Sequence, residues 1–466
     1  MTKRFVQIGG VCRIVAGELN VKKMKSQMKA AGNALRAVLR GVFGEGKPAD
    51  RILSGFFREN RQYGSRDRQF VSESVYALLR NWGILRRFLP EERRAELESG
   101  TIRIGRAELD ALLFAALYLE GMNLPAADLL AKELGIPWPK PDPDHPSPFL
   151  AKAEALGRAF GTKLCFTDRD FVPEWVFSLL PGDFPAERFL ADLRRRPPMW
   201  LRLQSPDVDR IAAELRSCGT KLLRQARIPN ALGIVNPKVN LYTLESFRRG
   251  EFEVQDLASQ CIGLVAAPKP GERWLDTCAG AGGKTLELAE LMKRSGTVVA
   301  CDVRAYKLDD LRARARRAGF PNIMTRAWDG KPFRGKQAGQ YDGVLVDAPC
   351  SCSGVWRRNP DGRWTLSPEA VGEAAELQKK ILESAATAVR PGGVLVYATC
   401  SLFPRENAEV VEAFLAAHEE FQLEVFAHPL TGEPCGGMLQ IYSFDGDCDS
   451  MFVARMRRRS GGEEEA

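Results

Sequence analysis

The sequence is poor in histidine and has no regular arrangement of cysteines. Its 466 residues include only three histidines, and its 11 cysteines show none of the paired spacings that hold structural zinc, so we expect no metal. We recognise neither an apolar run long enough to cross a bilayer nor a secretory signal, and we expect no membrane association. These absences predict a cytoplasmic protein, in which a reducing environment keeps the cysteines as thiols.

The charge balance is mildly basic. The chain has 67 Lys and Arg against 59 Asp and Glu, a formal net charge of +8. A polyanionic partner such as RNA is compatible with this excess, and a basic surface that is merely well solvated explains it equally well.

The length indicates two or three domains, because single hydrophobic cores stop growing well below this size. Helical periodicity fills the first part of the chain, whereas strands alternate with helices in the last part. We predict a disordered extension over 1–28, an all-α domain over 29–196 with a proline-rich loop near 137–148, a small α+β module over 197–256, a doubly wound, Rossmann-like α/β domain over 257–457, and a disordered acidic tail over 458–466.

Two cysteines follow two predicted strands in the last domain. The apolar run ending at Asp347 leads through a proline to Cys350, and the run ending at Thr399 leads to Cys400. A helix that begins at Ser367 joins the two strands, which makes a βαβ unit with parallel strands. We therefore expect Asp347, Cys350 and Cys400 at one carboxyl edge of the sheet, where such sheets bind ligands.

The glycine-rich turn Cys278–Thr285 follows the first strand of this domain and has three interpretations. A P-loop requires glycine where this chain has Cys278, so the phosphate cradle is incomplete. A dinucleotide site uses a pair such as Gly280 and Gly282, but that pair alone is a weak signal.

Acidic residues after successive strands favour the third interpretation. Each acid taken alone is as compatible with a helix cap or a turn, but four at one sheet edge suit a ligand with ribose hydroxyls, an adenine amine and a cationic amino-acid part. S-adenosylmethionine has all three and no phosphate. The four are Asp276, Asp302, Asp329 and Asp347.

Such a cofactor gives the two cysteines a role. C5 of a pyrimidine is a poor nucleophile, so a methyltransferase acting there first adds a thiolate to C6. A carboxyl group near N3, here Asp347, stabilises the adduct, and a base then removes the C5 proton. One cysteine suffices as nucleophile, and the other assists proton transfer or release. The competing interpretation of each cysteine is a buried, inert residue.

Several segments together resemble the Sun/RsmB type within the NOL/NOP/Sun family of RNA cytosine-C5 methyltransferases. The resemblance implies that Cys400 is the nucleophile and that Cys350 aids product release. It rests on Val254–Gln260, Cys278–Thr285, Asp347–Ser351, Arg357–Trp364, Thr399–Ser401 and Arg405–Asn407. The implied cofactor positions are Cys278, Ala279, Gly280, Ala281, Gly282, Gly283, Lys284, Asp302, Asp329 and Asp347.

The chain departs from the family pattern at two places. The usual Ala-Pro-Gly-Gly turn is Gly280-Ala281-Gly282-Gly283, which loses the rigidity of proline and keeps glycines that allow close backbone approach. Cys352 stands where a small residue such as Gly or Ala is common, and it adds a third thiol near the site.

The N-terminal helices resemble the NusB-like domain of the family's bacterial small-subunit rRNA enzyme, and the module that begins at Trp200 resembles the family's small RNA-binding module. This pairing implies RNA, in particular 16S rRNA, as the partner. We expect the protein to be a monomer. The residues expected to hold the RNA strand by charge and stacking are Arg357, Arg358, Arg363 and Trp364. A tRNA cytosine-C5 methyltransferase and a catalytically inactive NusB-like RNA-binding factor are the alternatives.

Overall fold

The computed structural model describes residues 21–98, 104–121, 127–137, 139, 149–161, 166–235 and 239–460. The chain divides into two units, one of residues up to 176 with the segment 359–365, and one of residues 177–358 with those from 366 onward. Among the described helices, none combines the length and the apolar character that crossing a bilayer requires.

The first unit is built from helices around a buried central one. Residues Leu109 to Leu119 of that helix are buried almost without interruption, and the first and third helices pack against it. Such all-round apolar character is typical of a helix at the centre of a core. The helices are α1 (Val21–Leu39), α2 (Ala49–Glu59), α3 (Ser65–Arg80), α4 (Trp82–Leu85), α5 (Glu91–Glu98), α6 (Arg106–Leu119), α7 (Ala127–Leu134), α8 (Phe149–Ala159) and, across the boundary of the unit, α9 (Trp175–Ser178).

The predicted disordered extension is too long at its C-terminal end. Residues 21–28 belong to α1, in which Met24 and Met28 are buried. The amphipathic pattern of this helix therefore begins before residue 29, where the all-α domain was predicted to start. Residues 1–20 and 461–466 lie outside the described residues, as does most of the predicted proline-rich loop at 137–148.

The second unit begins with a helix and a small antiparallel sheet. Asp192, on that helix, accepts a hydrogen bond from Ser443 at 2.9 Å, so residues just before 196 pack with the C-terminal part of the chain. The elements of this part are α10 (Ala186–Leu193), β1 (Met199–Leu203), α11 (Val208–Ser217), β2 (Lys221–Arg224), β3 (Ala231–Val235), α12 (Glu245–Arg248) and β4 (Phe252–Val254). The sheet has the strand order β2, β3, β1, β4.

The rest of the second unit is a large mixed sheet with helices. Its elements, given in chain order, are α13 (Leu257–Ala266), β5 (Arg273–Asp276), α14 (Gly283–Leu291), β6 (Thr297–Asp302), α15 (Ala305–Ala318), β7 (Ile323–Ala327), β8 (Tyr341–Asp347), α16 (Gly362–Thr365), α17 (Pro368–Ala386), β9 (Val389–Thr399), α18 (Ala408–Ala417), β10 (Phe421–Leu423), β11 (Phe426–Ala427), β12 (Pro434–Cys435), β13 (Met438–Ile441), α19 (Ser443–Gly446) and β14 (Met451–Arg458). Of these, α16 belongs to the first unit.

The sheet runs in the order β10, β14, β9, β8, β5, β6, β7, and β13 also pairs with β14. Strands β5 to β9 are parallel to their neighbours, whereas β14 is antiparallel to β9. Side chains alternate between two cores, since Trp274 lies in one and Leu275 in the other. The chain leaves β5 toward β6 and later returns on its other side as β8, which creates a topological switch point at the carboxyl end of β5. The predicted fold class is confirmed.

The segment 359–365 is part of the buried framework of the first unit. Arg363 is fully buried and donates hydrogen bonds to the backbone carbonyls of Phe171 at 3.0 Å and Arg80 at 3.2 Å. The indole N–H of Trp364 donates to the carbonyl of Leu79 at 2.9 Å. The structure therefore contradicts the predicted RNA contact of Arg363, whose guanidinium has internal acceptors, and it gives Trp364 an internal partner as well.

We expect Arg363→Met to destabilise the protein by about 2–4 kcal/mol, because it leaves buried carbonyl groups without donors. The midpoint of chemical denaturation, followed by circular dichroism, measures this loss. Arg61→Met, at an exposed position of the same unit, is the matched control and should change the midpoint little. A similar midpoint for both variants would contradict the structural role of Arg363.

Candidate active site

The carboxyl edge of the large sheet brings together four of the predicted residues. Asp276, Asp302 and Asp347 are the last residues of β5, β6 and β8, and Cys400 follows β9 directly. Asp329 lies in the loop after β7, the outermost parallel strand, where its side chain is 60% exposed and pairs with Lys331 at 2.7 Å. The other predicted residues therefore follow the strands around the switch point, whereas Asp329 lies in the loop after the outermost parallel strand.

The glycine-rich turn leaves an open space in front of the sheet. Gly280 and Gly282 have φ values of +52° and +89°, a left-handed conformation that glycine adopts without steric cost. A Cβ atom added at Gly282 would lie 2.5 Å from Leu311, whereas one added at Gly280 or Gly283 would meet nothing within 4 Å. The turn thus packs on the protein through Gly282 and exposes backbone to a ligand through the other two.

The two acidic residues beside this turn differ in how many hydrogen bonds their carboxylate oxygens accept. Asp276 is buried and accepts a hydrogen bond from Thr285 at 2.6 Å, while its second carboxylate oxygen has no partner among the described residues. Burial raises the pKa of Asp276 to about 7. Burial also raises the pKa of Asp302, but hydrogen bonds from Arg304 and Gly280 outweigh it and lower that pKa below its ordinary value.

These features fit the predicted cofactor. Open backbone at Gly280 and Gly283 admits a close ligand, and the unpartnered oxygen of Asp276 is an acceptor for a hydroxyl or amine group. Lys284, the residue that would bind phosphate in a P-loop, instead pairs with Asp347 at 2.8 Å. The donor set therefore suits a ligand that carries hydroxyl, amine and cationic groups rather than phosphate.

The ion pair between Lys284 and Asp347 was not foreseen from the sequence. It links the helix after the glycine turn to the strand that leads to Cys350. Burial raises the pKa of Asp347, and the Lys284 ammonium opposes that rise. A carboxyl group with a raised pKa holds a proton more readily, so Asp347 is suited to donate a hydrogen bond as well as to accept one.

Three thiols meet beside this pair. The Sγ atoms of Cys350 and Cys400 are 3.4 Å apart, and that of Cys352 completes a group whose sulfur atoms all lie within 4.8 Å of one another. The pKa of Cys350 is raised by hydrogen bonding to the other two thiols and by burial. For Cys400, the contact with Cys352 and burial outweigh the lowering effect of the hydrogen bond with Cys350 and raise the pKa to about 12.

A buried carboxylate, to which the sequence analysis assigned no role, joins the loop that carries Cys350 to the loop that carries Cys400. We call these two segments the thiol loops. Glu406 accepts hydrogen bonds from the hydroxyl groups of Ser351 and Ser401, the residues directly after Cys350 and Cys400, and from the backbone N–H of Ser351 at 2.8 Å. Gln378 donates to the same carboxylate at 3.0 Å. The sequence signal was present in Arg405–Asn407, which supported the family resemblance but indicated no chemistry.

The two arginines after the first thiol loop differ in availability. Arg357 is 2% exposed and donates to the Asp447 carboxylate at 2.7 Å and to the Cys448 carbonyl at 3.2 Å, so the structure contradicts its predicted RNA contact. Arg358 pairs with Asp449 at 2.7 Å but keeps 54% of its side chain exposed. Of the predicted RNA-binding arginines, Arg358 alone retains an accessible guanidinium.

Comparison with known proteins places this site in a family. Residues 263–457 match the sequence model described as 16S rRNA methyltransferase RsmB/F. Ribosomal RNA small subunit methyltransferase B of Klebsiella pneumoniae (strain 342) is 33% identical over 293 residues, which are 62% of this chain and 66% of the relative. The probable ribosomal RNA small subunit methyltransferase B of Synechocystis is 30% identical over 308 residues, 64% of this chain and 69% of the relative. The chain belongs to the RsmB/F family.

Solved structures share the fold of this chain. The crystal structure of PH0851 matches with a TM-score of 0.70 and 25% identity, covering 92% of this chain and 99% of that one. NSun6 from Pyrococcus horikoshii, solved with SFG, has the same fold with a TM-score of 0.53 at 21% identity, over 61% of this chain and 98% of that one. The RsmB/F family consists of S-adenosylmethionine-dependent rRNA methyltransferases, so the predicted family and cofactor are confirmed.

We expect Glu406→Gln to lower the turnover number of this RsmB/F protein by at least about 10-fold while changing the KM for S-adenosylmethionine little. The substitution replaces one acceptor oxygen with N–H₂ and removes the negative charge that strengthens these hydrogen bonds, which loosens both thiol loops without touching the glycine turn. Steady-state methylation kinetics separate the two parameters. Glu409→Gln, at an exposed position one helical turn further on, is the matched control. Equal turnover in the two variants would rule out the positioning role.

Proposed function

We propose that this protein transfers a methyl group from S-adenosylmethionine to C5 of a specific cytosine in 16S rRNA, through a covalent bond between Cys400 and C6. One observation carries the proposal. Two thiols 3.4 Å apart stand at the carboxyl edge of the sheet, beside the open glycine turn and the ion pair between the buried Lys284 and the half-buried Asp347. Methyl transfer to oxygen or to an exocyclic nitrogen needs no such thiols, whereas C5 chemistry needs a nucleophile at C6.

Cys400 attacks C6 as a thiolate. The contact with Cys352 and burial raise the pKa of Cys400, so this thiol must lose its proton to solvent before it attacks. The ammonium group of Lys284 lowers that pKa through its positive charge. Lys284 therefore stabilises the attacking thiolate as well as holding Asp347.

Asp347 stabilises the electron density that the addition places on the ring. Burial raises the pKa of its carboxyl group, which favours a proton shared in a hydrogen bond between that carboxyl group and N3 of the cytosine. S-adenosylmethionine, when bound, supplies the methyl group to the activated C5. A carboxyl group that donates only while the adduct exists stabilises the transition state rather than the ground state.

Release requires that the C5 proton leave and that the bond between C6 and Cys400 break. Cys350 is the neighbouring sulfur, and it assists this elimination by taking a proton or by returning one to the expelled thiolate. The names of the curated relatives favour small-subunit rRNA over tRNA as substrate. The helical unit is proposed, as its NusB-like resemblance implies, to contribute to RNA binding, and Arg358 has an accessible side chain for a phosphate contact.

Bisulfite sequencing of total RNA from cells with and without this gene tests the substrate. We expect one protected cytosine of 16S rRNA to lose its protection when the gene is deleted, because C5 methylation prevents deamination. A gene copy encoding Cys400→Ala should fail to restore protection, which controls for effects of the protein other than methylation. Loss of protection in tRNA would overturn the substrate, and no loss in any RNA would favour an inactive RNA-binding factor.

Alanine variants of Cys400 and Cys350 should have different defects if the two cysteines have different roles. We expect Cys400→Ala to reduce methylation by about 10³-fold or more, and to form no adduct, because it lacks the nucleophile. Cys350→Ala should accumulate an RNA adduct that survives denaturing electrophoresis, because elimination is impaired. Cys435→Ala, at a thiol distant in sequence from both loops, should behave as the unmodified protein does. Methylation by Cys400→Ala at an ordinary rate would assign the nucleophile elsewhere.

A further inference from the structure

The proposed methyl transfer uses two thiols, yet the structure gathers three. Cys352 is exposed, has no role in the proposed reaction, and presents its sulfur to the pair formed by Cys350 and Cys400. All three sulfur atoms lie within 4.8 Å of one another. Zinc thiolate bonds are about 2.3 Å long, which for a tetrahedral ion places neighbouring sulfur atoms about 3.8 Å apart. The spacing of the three sulfurs therefore nearly matches one face of a thiolate coordination sphere.

The backbone positions the third thiol at a conformational cost. Cys352 has φ +58° and ψ 27°, in the left-handed region that favours glycine. Its neighbours are fixed, since Ser351 is bonded to Glu406, and Gly354 donates its N–H to the carbonyl of Cys400 at 2.8 Å. The three sulfurs thus stand on two loops that are already held together, and a bound ion would need little rearrangement of the backbone.

The surrounding charge suits an anionic metal complex. Three thiolates around a divalent ion carry a net charge of −1. Lys284 and Arg358 are cations near this group. The pKa of Lys284 is raised mainly by Asp347 and that of Arg358 mainly by Asp449 and Asp256, and Cys400 adds to both effects. Because Cys352 is exposed, an ion also has a path to the sulfurs from solvent.

We propose that Cys350, Cys352 and Cys400 together bind one thiophilic divalent ion of the Zn²⁺ class. Each thiol loses its proton to solvent and forms one bond from sulfur to the ion, and water fills the fourth position. No oxidation or reduction takes place. The binding follows from the three sulfurs alone. Its consequence, that zinc inhibits methylation reversibly by occupying the sulfur of Cys400, rests on the proposed function.

The binding is tested with Cd²⁺ on the full-length, reduced protein under anaerobic conditions. Cadmium replaces zinc at thiolate sites, and its thiolate bonds absorb in the ultraviolet, so the titration counts sulfur ligands without any activity. We expect one tightly bound ion per chain with the absorbance of three thiolates. Cys352→Gly should bind at least about 10-fold more weakly, and it should fold, because glycine adopts the left-handed backbone of this position readily.

The matched control is Cys435→Ser, which removes a thiol outside the cluster and should leave the titration unchanged. Equal cadmium affinity in Cys352→Gly and the unmodified protein would overturn the proposed site. A loss of absorbance in Cys435→Ser as large as the loss in Cys352→Gly would overturn it as well. Formation of a disulfide between Cys350 and Cys400 in place of metal binding would also overturn it, and mass measurement of the protein after titration detects that loss of two hydrogens.

The inhibition is tested by adding Zn²⁺ to the methylation assay. Half-inhibition of the unmodified protein should occur at the zinc concentration that half-fills the site, and Cys352→Gly should need at least about 10-fold more. Cadmium binding in a protein that methylates no RNA would sustain the metal site and refute the proposed function. Methylation that zinc leaves untouched while the site is filled would refute the inhibition and place the catalytic sulfur outside the cluster.

Discussion

The carboxylate of Glu406 is the constraint on which the geometry of the site depends. The thiols of Cys350 and Cys400 stand on two separate loops after two separate strands. One buried carboxylate that accepts hydrogen bonds from Ser351 and Ser401 fixes both loops at once. The sheet supplies the common edge, but parallel pairing ends at the last strand residues and does not determine the path beyond them. The close approach of the sulfurs is thus a property of the loops and their shared anchor.

Burial sets the protonation of this edge in a consistent direction. The pKa values of Asp276, Asp347 and Cys400 are all raised. For the two carboxyl groups the cause is burial, and for Cys400 it is the contact with Cys352 together with burial. Proton movement is therefore part of the C5 chemistry proposed for this site. Lys284 opposes this rise, because its ammonium group lowers the pKa of both Asp347 and Cys400.

Much of the fold and of this edge could be predicted because both follow from local patterns. Strand and helix periodicity, the proline after Ala348 and the glycine turn indicate the βαβ order, and parallel strands then bring Asp347 and Cys400 to one edge. Arginine was harder to interpret. Charge alone does not reveal whether a guanidinium has internal acceptors, so Arg357 and Arg363 were predicted to face RNA. In the structure Arg357 donates to the Asp447 carboxylate and the Cys448 carbonyl, and Arg363 donates to the Phe171 carbonyl. Such partners depend on the tertiary fold rather than on sequence neighbours.

The same closeness that suits two thiols to successive steps of a reaction gives the site an affinity for soft metal ions. Two sulfur atoms 3.4 Å apart supply only part of the ligand set of a zinc ion. The third sulfur raises the affinity of the group for zinc, because it adds another thiolate ligand. A glycine at position 352 would keep the loop conformation at lower cost and leave only the pair. The thiol that stands there instead, in a left-handed conformation and open to solvent, lowers backbone stability and contributes no bond to the proposed methyl transfer. Metal coordination is the chemistry in which its placement has an effect.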